Sequence, residues 1–207
     1  MNLDLRLIVI TDAHLAAPRT VADLVAAAVA AGAPAVQLRD KQATARELVE
    51  QARILLPLVH AAGARLMIND RLDVALAAGA DGVHLGPDDL PIAAARRIVP
   101  AGFVVGASTD DPELAVRAEA DGADYIGCGA VFGTTTKPEA AGERIGTARL
   151  DAVAGAVRIP VVGIGGITPA NVAQVAATRA AGAAVVGAIM TAHDVGAVVR
   201  KLLGGFA

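Results

Sequence analysis

Hydrophobic and polar positions follow one pattern that recurs along the chain. An alanine-rich stretch leads into a glycine, and a short run of apolar residues follows. The pattern occurs in the segments AAGAPAVQL, AAGARLMI, AAGADGVHL, EADGADYIG and RAAGAAVVG, which end at residues 38, 68, 85, 127 and 187. A glycine often ends a helix because it readily adopts the left-handed conformation found there. We therefore predict helix ends at Gly32, Gly63, Gly79, Gly122 and Gly182.

The apolar runs have no polar face, which is typical of parallel strands covered by helices. They predict strands near residues 6–10, 35–39, 65–69, 82–85, 103–108, 124–128, 160–164 and 183–187. The stretches between them predict helices near residues 20–31, 44–62, 71–78, 91–98, 111–120, 148–157, 170–179 and 194–203. Pro169 and Asp194 suit helix starts.

Eight such units in 207 residues, roughly 26 residues each, predict a compact (β/α)8 TIM barrel of the α/β class. We find no linker and assign residues 1–207 to a single domain. The alternative is an open, doubly wound sheet. The even spacing of the strands and the two late glycine-rich turns favour the closed form.

Composition narrows the class of protein. Hydrophobic residues make up 55% of the chain, and its net charge of −3 comes without a basic run. This argues against nucleic acid and membranes as partners and leaves small anions as ligands. The single cysteine, Cys128, excludes an intrachain disulfide, and the start of the chain has no signal segment. We expect a cytoplasmic protein, and a homodimer is compatible with a barrel of this size.

A barrel places its chemistry in the loops that follow the strands. The polar and glycine residues at these positions are Gln37, Arg39, Lys41, Asn69, Asp70, Asp88, Asp89, Ser108, Thr134, Thr135, Thr136, Lys137, Gly165, Gly166 and Gly187, together with Val186. The glycines of the last two loops are typical of a phosphate site made from backbone N–H groups. The alternative for Gly165 and Gly166 is a tight turn without a ligand.

Asp70 and Asp89 follow neighbouring strands and carry the hard oxygen ligands that suit Mg²⁺. Each could instead cap the helix that follows it. Three cations lie near them in the predicted fold, namely Arg39, Lys41 and Lys137. With Mg²⁺ added, the charges balance a diphosphate ester, which carries roughly three negative charges when ionised.

The chain has no nucleophile–histidine–acid arrangement. We interpret Cys128 as a small core residue and His84 as a hydrogen-bonded residue of a buried strand. Charged groups without a nucleophile suit a reaction in which diphosphate leaves and the site stabilises its charge.

Seven motifs together resemble the thiamine-phosphate synthase family, over about residues 7–202: QLRDK, IND, GVHLGPDD, GAS, DYIGCGAVFGTTTK, VVGIGGIT and VVGAI. The resemblance implies a TIM-barrel transferase of thiamine biosynthesis. It would join a hydroxymethylpyrimidine diphosphate to a thiazole monophosphate with Mg²⁺, after dissociation of diphosphate. The resemblance assigns the metal to Asp70 and Asp89. It assigns the pyrimidine diphosphate to Gln37, Arg39, Lys41, Asn69, Ser108 and Lys137, of which Ser108 and Lys137 would be catalytic. It assigns the thiazole phosphate to Thr134, Thr135, Thr136, Gly166, Val186 and Gly187.

The sequence departs from the family pattern at Pro87, Ala130, Asp110 and Gly187. We expect Asp110 to point outward at a helix start with Asp111. Three alternative functions stay open. They are a thiazole tautomerase, which resembles this family but lacks the paired aspartates, a Schiff-base aldolase or epimerase that would use Lys137, and a thiazole-binding protein without turnover.

Overall fold

The computed structural model describes residues 3–134 and 144–206. Eight parallel strands close into a barrel in chain order. They are β1 Leu7–Ile10, β2 Ala35–Leu38, β3 Arg65–Asn69, β4 Gly82–Leu85, β5 Val104–Ser108, β6 Tyr125–Cys128, β7 Val161–Ile164 and β8 Gly182–Val185. The barrel closes where Leu7 pairs with Ala183. The predicted (β/α)8 barrel is therefore confirmed, and the open sheet is excluded.

Helices cover the barrel between the strands. Those of the described residues are α1 Ala13–Ala16, α2 Val21–Ala30, α3 Ala45–Ala61, α4 Leu72–Ala78, α5 Ile92–Arg96, α6 Pro112–Ala120, α7 Gly146–Ala156, α8 Val172–Ala176, α9 Gly187–Met190 and α10 Val195–Leu203. The sequence analysis missed α1 and α9, which have four residues each. It also extended β8 to residue 187, whereas the strand ends at Val185 and Gly187 begins α9.

The core has an inner and an outer part. The residues of the inner cluster lie on seven of the eight strands or, for Leu5, just before β1. They are Leu5, Ile8, Ile10, Ala35, Met67, Val104, Tyr125, Val162 and Ala184. Side chains from strands on all sides of a closed barrel can meet only in its interior. The alternate strand residues, such as Val36 and Ile126, pack outward against the helices. This inner layer forms the floor of the site described below.

Four of the five predicted helix-ending glycines, Gly32, Gly63, Gly79 and Gly122, have positive φ angles. Gly182 does not, so its prediction was wrong. It is the first residue of β8, where a Cβ atom would collide with the carbonyl group of Leu5. Asp194 caps α10 by accepting a hydrogen bond from the Ala197 N–H at 2.9 Å. Pro169 does not start α8, which begins at Val172.

No helix within residues 3–134 and 144–206 combines the length and the hydrophobicity needed to cross a bilayer.

Candidate active site

The strands are parallel, so their carboxyl ends lie together at one end of the barrel. Gln37 and Asn69 link β2 to β3 there, because Gln37 Nε2 donates to Asn69 Oδ1 at 2.7 Å. Gln37 is only 4% exposed. Each side-chain amide has donors and an acceptor, so the linked pair offers fixed polar groups to a ligand.

Three charged side chains meet beside this pair. Lys41 Nζ lies 2.6 Å from Asp70 Oδ2, and the Asp70 carboxyl group neighbours that of Asp89. Burial raises the pKa of the Asp89 carboxyl, and the adjoining Asp70 raises it further, against the lowering effects of the Gly86 N–H and Lys41. Adjacent carboxylates repel each other unless a proton or a cation compensates them. The structure thus places a cation-demanding pair at the carboxyl end of the barrel.

Neither aspartate has the alternative role of a helix cap. The N-cap residues of α4 and α5 are Arg71 and Pro91, and neither makes a side-chain capping bond. Asp89 Oδ2 instead accepts the Gly86 N–H at 2.7 Å within its own loop. Asp70 has a φ angle of +62°, the one positive value at a non-glycine residue of the described chain. Such backbone conformations cost free energy and often occur at functional sites.

The donor set fits Mg²⁺. The described residues include no group of three or more His, Cys, Asp or Glu side chains that could hold a metal ion. Mg²⁺ does not require one, because it usually keeps several waters and binds through one or two carboxylates together with substrate phosphates. Asp70 and Asp89 match this pattern, and a divalent cation would relieve their repulsion.

Asp12 and Thr11 belong to this end of the barrel and were missed by the sequence analysis. Arg39 Nη1 lies 3.7 Å from Asp12 Oδ2. Thr11 Oγ1 accepts the Arg39 N–H at 2.9 Å and donates to the Arg39 carbonyl at 3.1 Å. Both residues directly follow β1, so the rule applied to the other strands would have found them. Asp12 offsets part of the Arg39 charge, which the count from the sequence did not include.

His84 joins three strands at the site. Its Nδ1 lies 2.8 Å from the Tyr125 hydroxyl, and its Nε2 lies 2.7 Å from Ser108 Oγ. The prediction of a hydrogen-bonded strand histidine is confirmed. Its contact with Ser108 could not be predicted, because contacts between strands are not visible in a local sequence pattern.

The loop after β7 depends on two glycines. Gly165 and Gly166 have φ angles of +100° and +63°. A Cβ atom at Gly165 would lie 2.7 Å from Ala130 Cα, and one at Gly166 would lie 3.0 Å from the Gly133 carbonyl oxygen. Asn171 Nδ2 donates to the Gly166 carbonyl at 2.9 Å. The conformation therefore requires glycine at both positions, because the loop after β6 packs closely against them.

The remaining predicted residues lie around this loop or outside the described chain. Val186 and Gly187 follow β8, with Gly187 in the first turn of α9. Thr134 is part of the described structure, whereas Thr135, Thr136 and Lys137 are not. The structure therefore leaves the predicted roles of these three residues as predictions.

Two further expectations have clear outcomes. Asp110 is exposed, and Asp111 caps α6 by accepting the N–H groups of Glu113 and Leu114 at 2.7 and 3.2 Å. Asp110 therefore lies at a helix start, as predicted. Cys128 is completely buried, and burial raises the pKa of its thiol to about 12. It is a core residue and stays protonated at neutral pH.

The fold and the residues at the carboxyl end of the strands define a (β/α)8-barrel enzyme that acts on small molecules. The model of the thiamine monophosphate synthase family matches residues 7–189. The thiamine-phosphate synthases of Methanoculleus marisnigri and Chloroflexus aurantiacus are 49% and 47% identical to this chain, over 95% and 97% of it and 92% of each relative. The structure of thiamine phosphate pyrophosphorylase from Pyrococcus furiosus matches with a TM-score of 0.89 and 41% identity, over 99% of this chain and 96% of that one.

The chain belongs to the thiamine monophosphate synthase family. It is a transferase of thiamine biosynthesis, as the resemblance of its motifs predicted.

Proposed function

We propose that this enzyme joins 4-amino-2-methyl-5-hydroxymethylpyrimidine diphosphate to a thiazole monophosphate and releases thiamine phosphate and diphosphate. The observation that carries the chemistry is the neighbouring position of the Asp70 and Asp89 carboxyl groups, with Lys41 Nζ 2.6 Å from Asp70. Neighbouring carboxylates favour a bound cation, and a diphosphate ester entering the same end of the barrel requires one as well.

We assign Mg²⁺ to Asp70 and Asp89. A bound Mg²⁺ ion would supply positive charge to the departing diphosphate. Lys41 and Arg39 add fixed positive charge from the neighbouring loop. Lys41 is more than half exposed, so its side chain is accessible to a ligand, whereas Arg39 is held beside Asp12 at 3.7 Å.

The pyrimidine would lie over the buried Gln37 and the half-buried Asn69. Their amides match the donors and acceptors of an aminopyrimidine edge. Ser108, at the end of β5, would donate its hydroxyl hydrogen to the diphosphate, and Lys137 would add a further positive charge. We place the thiazole phosphate across the barrel at the backbone of Gly166, Val186 and Gly187, with Thr134, Thr135 and Thr136 beside it.

The reaction would be a dissociative substitution. The bond between the methylene carbon and the diphosphate oxygen breaks first, and the electron pair leaves with diphosphate. The aminopyrimidine stabilises the methylene cation, and the thiazole nitrogen then forms the new carbon–nitrogen bond. The residues of the site need only position the substrates and stabilise the leaving charge.

An assay of diphosphate release tests this proposal. The two substrates are mixed with enzyme and MgCl₂, and parallel reactions contain EDTA or lack the thiazole phosphate. We expect thiamine phosphate and diphosphate in equal amounts, and no product with EDTA. Binding of the thiazole phosphate without turnover would instead support a non-catalytic protein. Borohydride trapping of a substrate on Lys137 would support a Schiff-base mechanism.

A cytoplasmic location and a homodimer remain parts of the proposal. Sedimentation equilibrium measures the second directly, with a monomer mass of 20.6 kDa as the reference.

A further inference from the structure

Tyr125 is the single tyrosine of the chain and lies in the barrel interior, where it is 1% exposed. Its hydroxyl contacts His84 Nδ1 at 2.8 Å, and His84 Nε2 contacts Ser108 Oγ at 2.7 Å. A hydrogen-bonded chain thus runs from the floor of the barrel to a residue at its carboxyl end. The proposed reaction does not involve Tyr125, the buried end of this series of hydrogen bonds.

Which group donates in each of these two hydrogen bonds follows from counting hydrogens. Within residues 3–134 and 144–206, His84 Nδ1 is the hydrogen-bond partner of the Tyr125 hydroxyl. Burial raises the pKa of Tyr125, so the phenol keeps its hydrogen. If Nδ1 carried a hydrogen and donated it, the buried phenol hydrogen would have no acceptor there, which is costly. The Tyr125 hydroxyl therefore donates to Nδ1.

The donor of the second hydrogen bond, between His84 and Ser108, is then determined. A neutral imidazole has one N–H group, so the hydrogen lies on Nε2 and is donated to Ser108 Oγ. With its oxygen accepting from His84, Ser108 keeps its own hydroxyl hydrogen for another acceptor. In the opposite direction, Ser108 would donate to Nε2 and would offer an anion only lone pairs. The direction of these two hydrogen bonds thus decides whether the Ser108 hydroxyl can donate its hydrogen to an anion.

The neighbouring strands leave room for this chain. A Cβ atom at Gly106 would overlap the Tyr125 ring and lie 2.6 Å from His84 Nδ1. A Cβ atom at Gly127 would lie 2.9 Å from His84 Cε1. Both glycines are inside strands, where glycine weakens the sheet and often marks close approach by another group.

We propose that Tyr125 is a positioning residue that fixes the Nε2–H tautomer of His84 and so directs the Ser108 hydroxyl hydrogen toward the diphosphate of the pyrimidine substrate. This inference rests on the proposed function for the identity of the anion, but not for the tautomer.

The first test is the tautomer of His84 in the wild-type protein. Long-range ¹H–¹⁵N spectra of protein labelled in the histidine rings distinguish protonated from unprotonated nitrogens. The chain has four histidines, so His84 is assigned after substitution of His14, His60 and His193 by glutamine. We expect a protonated Nε2 and an unprotonated Nδ1. A protonated Nδ1 would overturn the inference, whether or not the protein is a synthase.

The second test is a double-mutant cycle with Tyr125→Phe and Ser108→Ala. Tyr125→Phe keeps the ring and removes the hydroxyl, and we expect kcat/KM for the pyrimidine diphosphate to fall about fivefold to tenfold. KM for the thiazole phosphate should stay unchanged. In the Ser108→Ala background, Tyr125→Phe should have no further effect, because the group that it positions is gone.

Thr178→Val is the matched control. Thr178 Oγ1 donates to the Val175 carbonyl at 2.7 Å, beyond α8 and away from the site, so this variant also loses one hydroxyl but should keep wild-type kinetics. Equal losses from Tyr125→Phe in both Ser108 backgrounds would show a merely structural role and overturn the inference. Should Tyr125→Phe fail to fold, the wild-type spectrum decides. An inactive wild-type enzyme would refute the proposed function and leave the tautomer test standing.

Discussion

Two pairs of aspartates at opposite ends of the barrel have opposite surroundings. At the amino end, Asp81 and Asp124 occupy the same place in two Gly-Ala-Asp repeats, directly before β4 and β6. Each accepts a backbone N–H from the preceding strand at 2.7 Å, from Leu66 and Val105 respectively. At the carboxyl end, the carboxyl groups of Asp70 and Asp89 neighbour each other instead, and the pKa of Asp89 is raised by burial and by Asp70.

This difference shows that the partner decides what a carboxylate does. A carboxylate facing N–H donors or a cation stabilises the fold, as Asp124 does between Val105 and Arg96. A carboxylate facing another carboxylate raises the energy of the folded state until a cation arrives. Asp81 and Asp124 thus stabilise the barrel, whereas the neighbouring carboxylates of Asp70 and Asp89 cost stability at the end where the reaction would take place.

Asp89→Asn should produce the largest effect and separates the two roles. We expect kcat/KM to fall at least about 100-fold, because one of the two proposed metal ligands would be lost. The Tm at pH 7 should stay equal or rise. Asp89 has a raised pKa, so its ionised form disfavours folding above that pKa. The gain in Tm from Asp89→Asn should therefore vanish as the pH falls toward the ordinary carboxyl pKa of about 4.

Thermal unfolding with MgCl₂ checks the same variant without an activity assay. A ligand at tenfold over its Kd stabilises the folded protein by about 1.4 kcal/mol, or a few degrees of Tm. We expect this shift in wild type and not in Asp89→Asn. Full turnover of the variant, or an equal shift in both proteins, would show that the metal assignment is wrong.

Asp81→Ala should have the reverse effect. It removes the acceptor of the Leu66 N–H at 2.7 Å and the partner of His60 Nε2 at 2.9 Å. We expect a loss of about 1–3 kcal/mol in the free energy of unfolding, since a partly buried N–H group loses its acceptor. Urea denaturation measures it. Since Asp81 lies at the far end of β4, kcat/KM of the folded enzyme should be unchanged. A large loss of turnover at unchanged stability would contradict the division of roles between the two ends.

The fold was readable from the sequence because the barrel repeats one unit. All eight strands were predicted to within about two residues of their observed ends, since each is a short apolar run and five of them belong to the repeated Ala-rich, glycine-containing segment. The misses have local causes. The helices α1 and α9 have four residues each, too few to show a period. Gly182 carries the same signal as the other glycines but is required by contact with Leu5, which the sequence does not show.

For the candidate site, the sequence predicted only which residues follow a strand and not which of them contact each other. The rule that chemistry follows the strands found Asp70 and Asp89, and in the structure their carboxyl groups are neighbours. It would have found Asp12 as well, had it been applied after β1. The link from Tyr125 through His84 to Ser108 could not be predicted, because it joins residues up to 41 positions apart across the inside of the barrel.

Asp151→Asn should produce the smallest effect. It extends the comparison to an exposed aspartate whose pKa is lowered, in contrast to that of Asp89. Asp151, on α7, accepts from Arg179 Nη2 at 2.6 Å and from the Arg179 backbone N–H at 2.9 Å. The Arg179 side chain, followed by its backbone N–H, lowers the pKa of Asp151 to about 2 from an ordinary value of 3.8. A lowered pKa stabilises the fold above the ordinary value, and the contribution is lost as the pH falls through about 2. We therefore expect a slight loss of stability in urea at pH 7, reduced by 1 M salt and much smaller near pH 2.

Arg158→Ala is the control. The Arg158 side chain is 96% exposed and lies 3.8 Å from Glu119, so its removal should change the stability less than Asp151→Asn does at pH 7. An equal loss at both pH values would mean that Asp151 acts through hydrogen-bond geometry and not through its charge, unlike Asp89 at the carboxyl end.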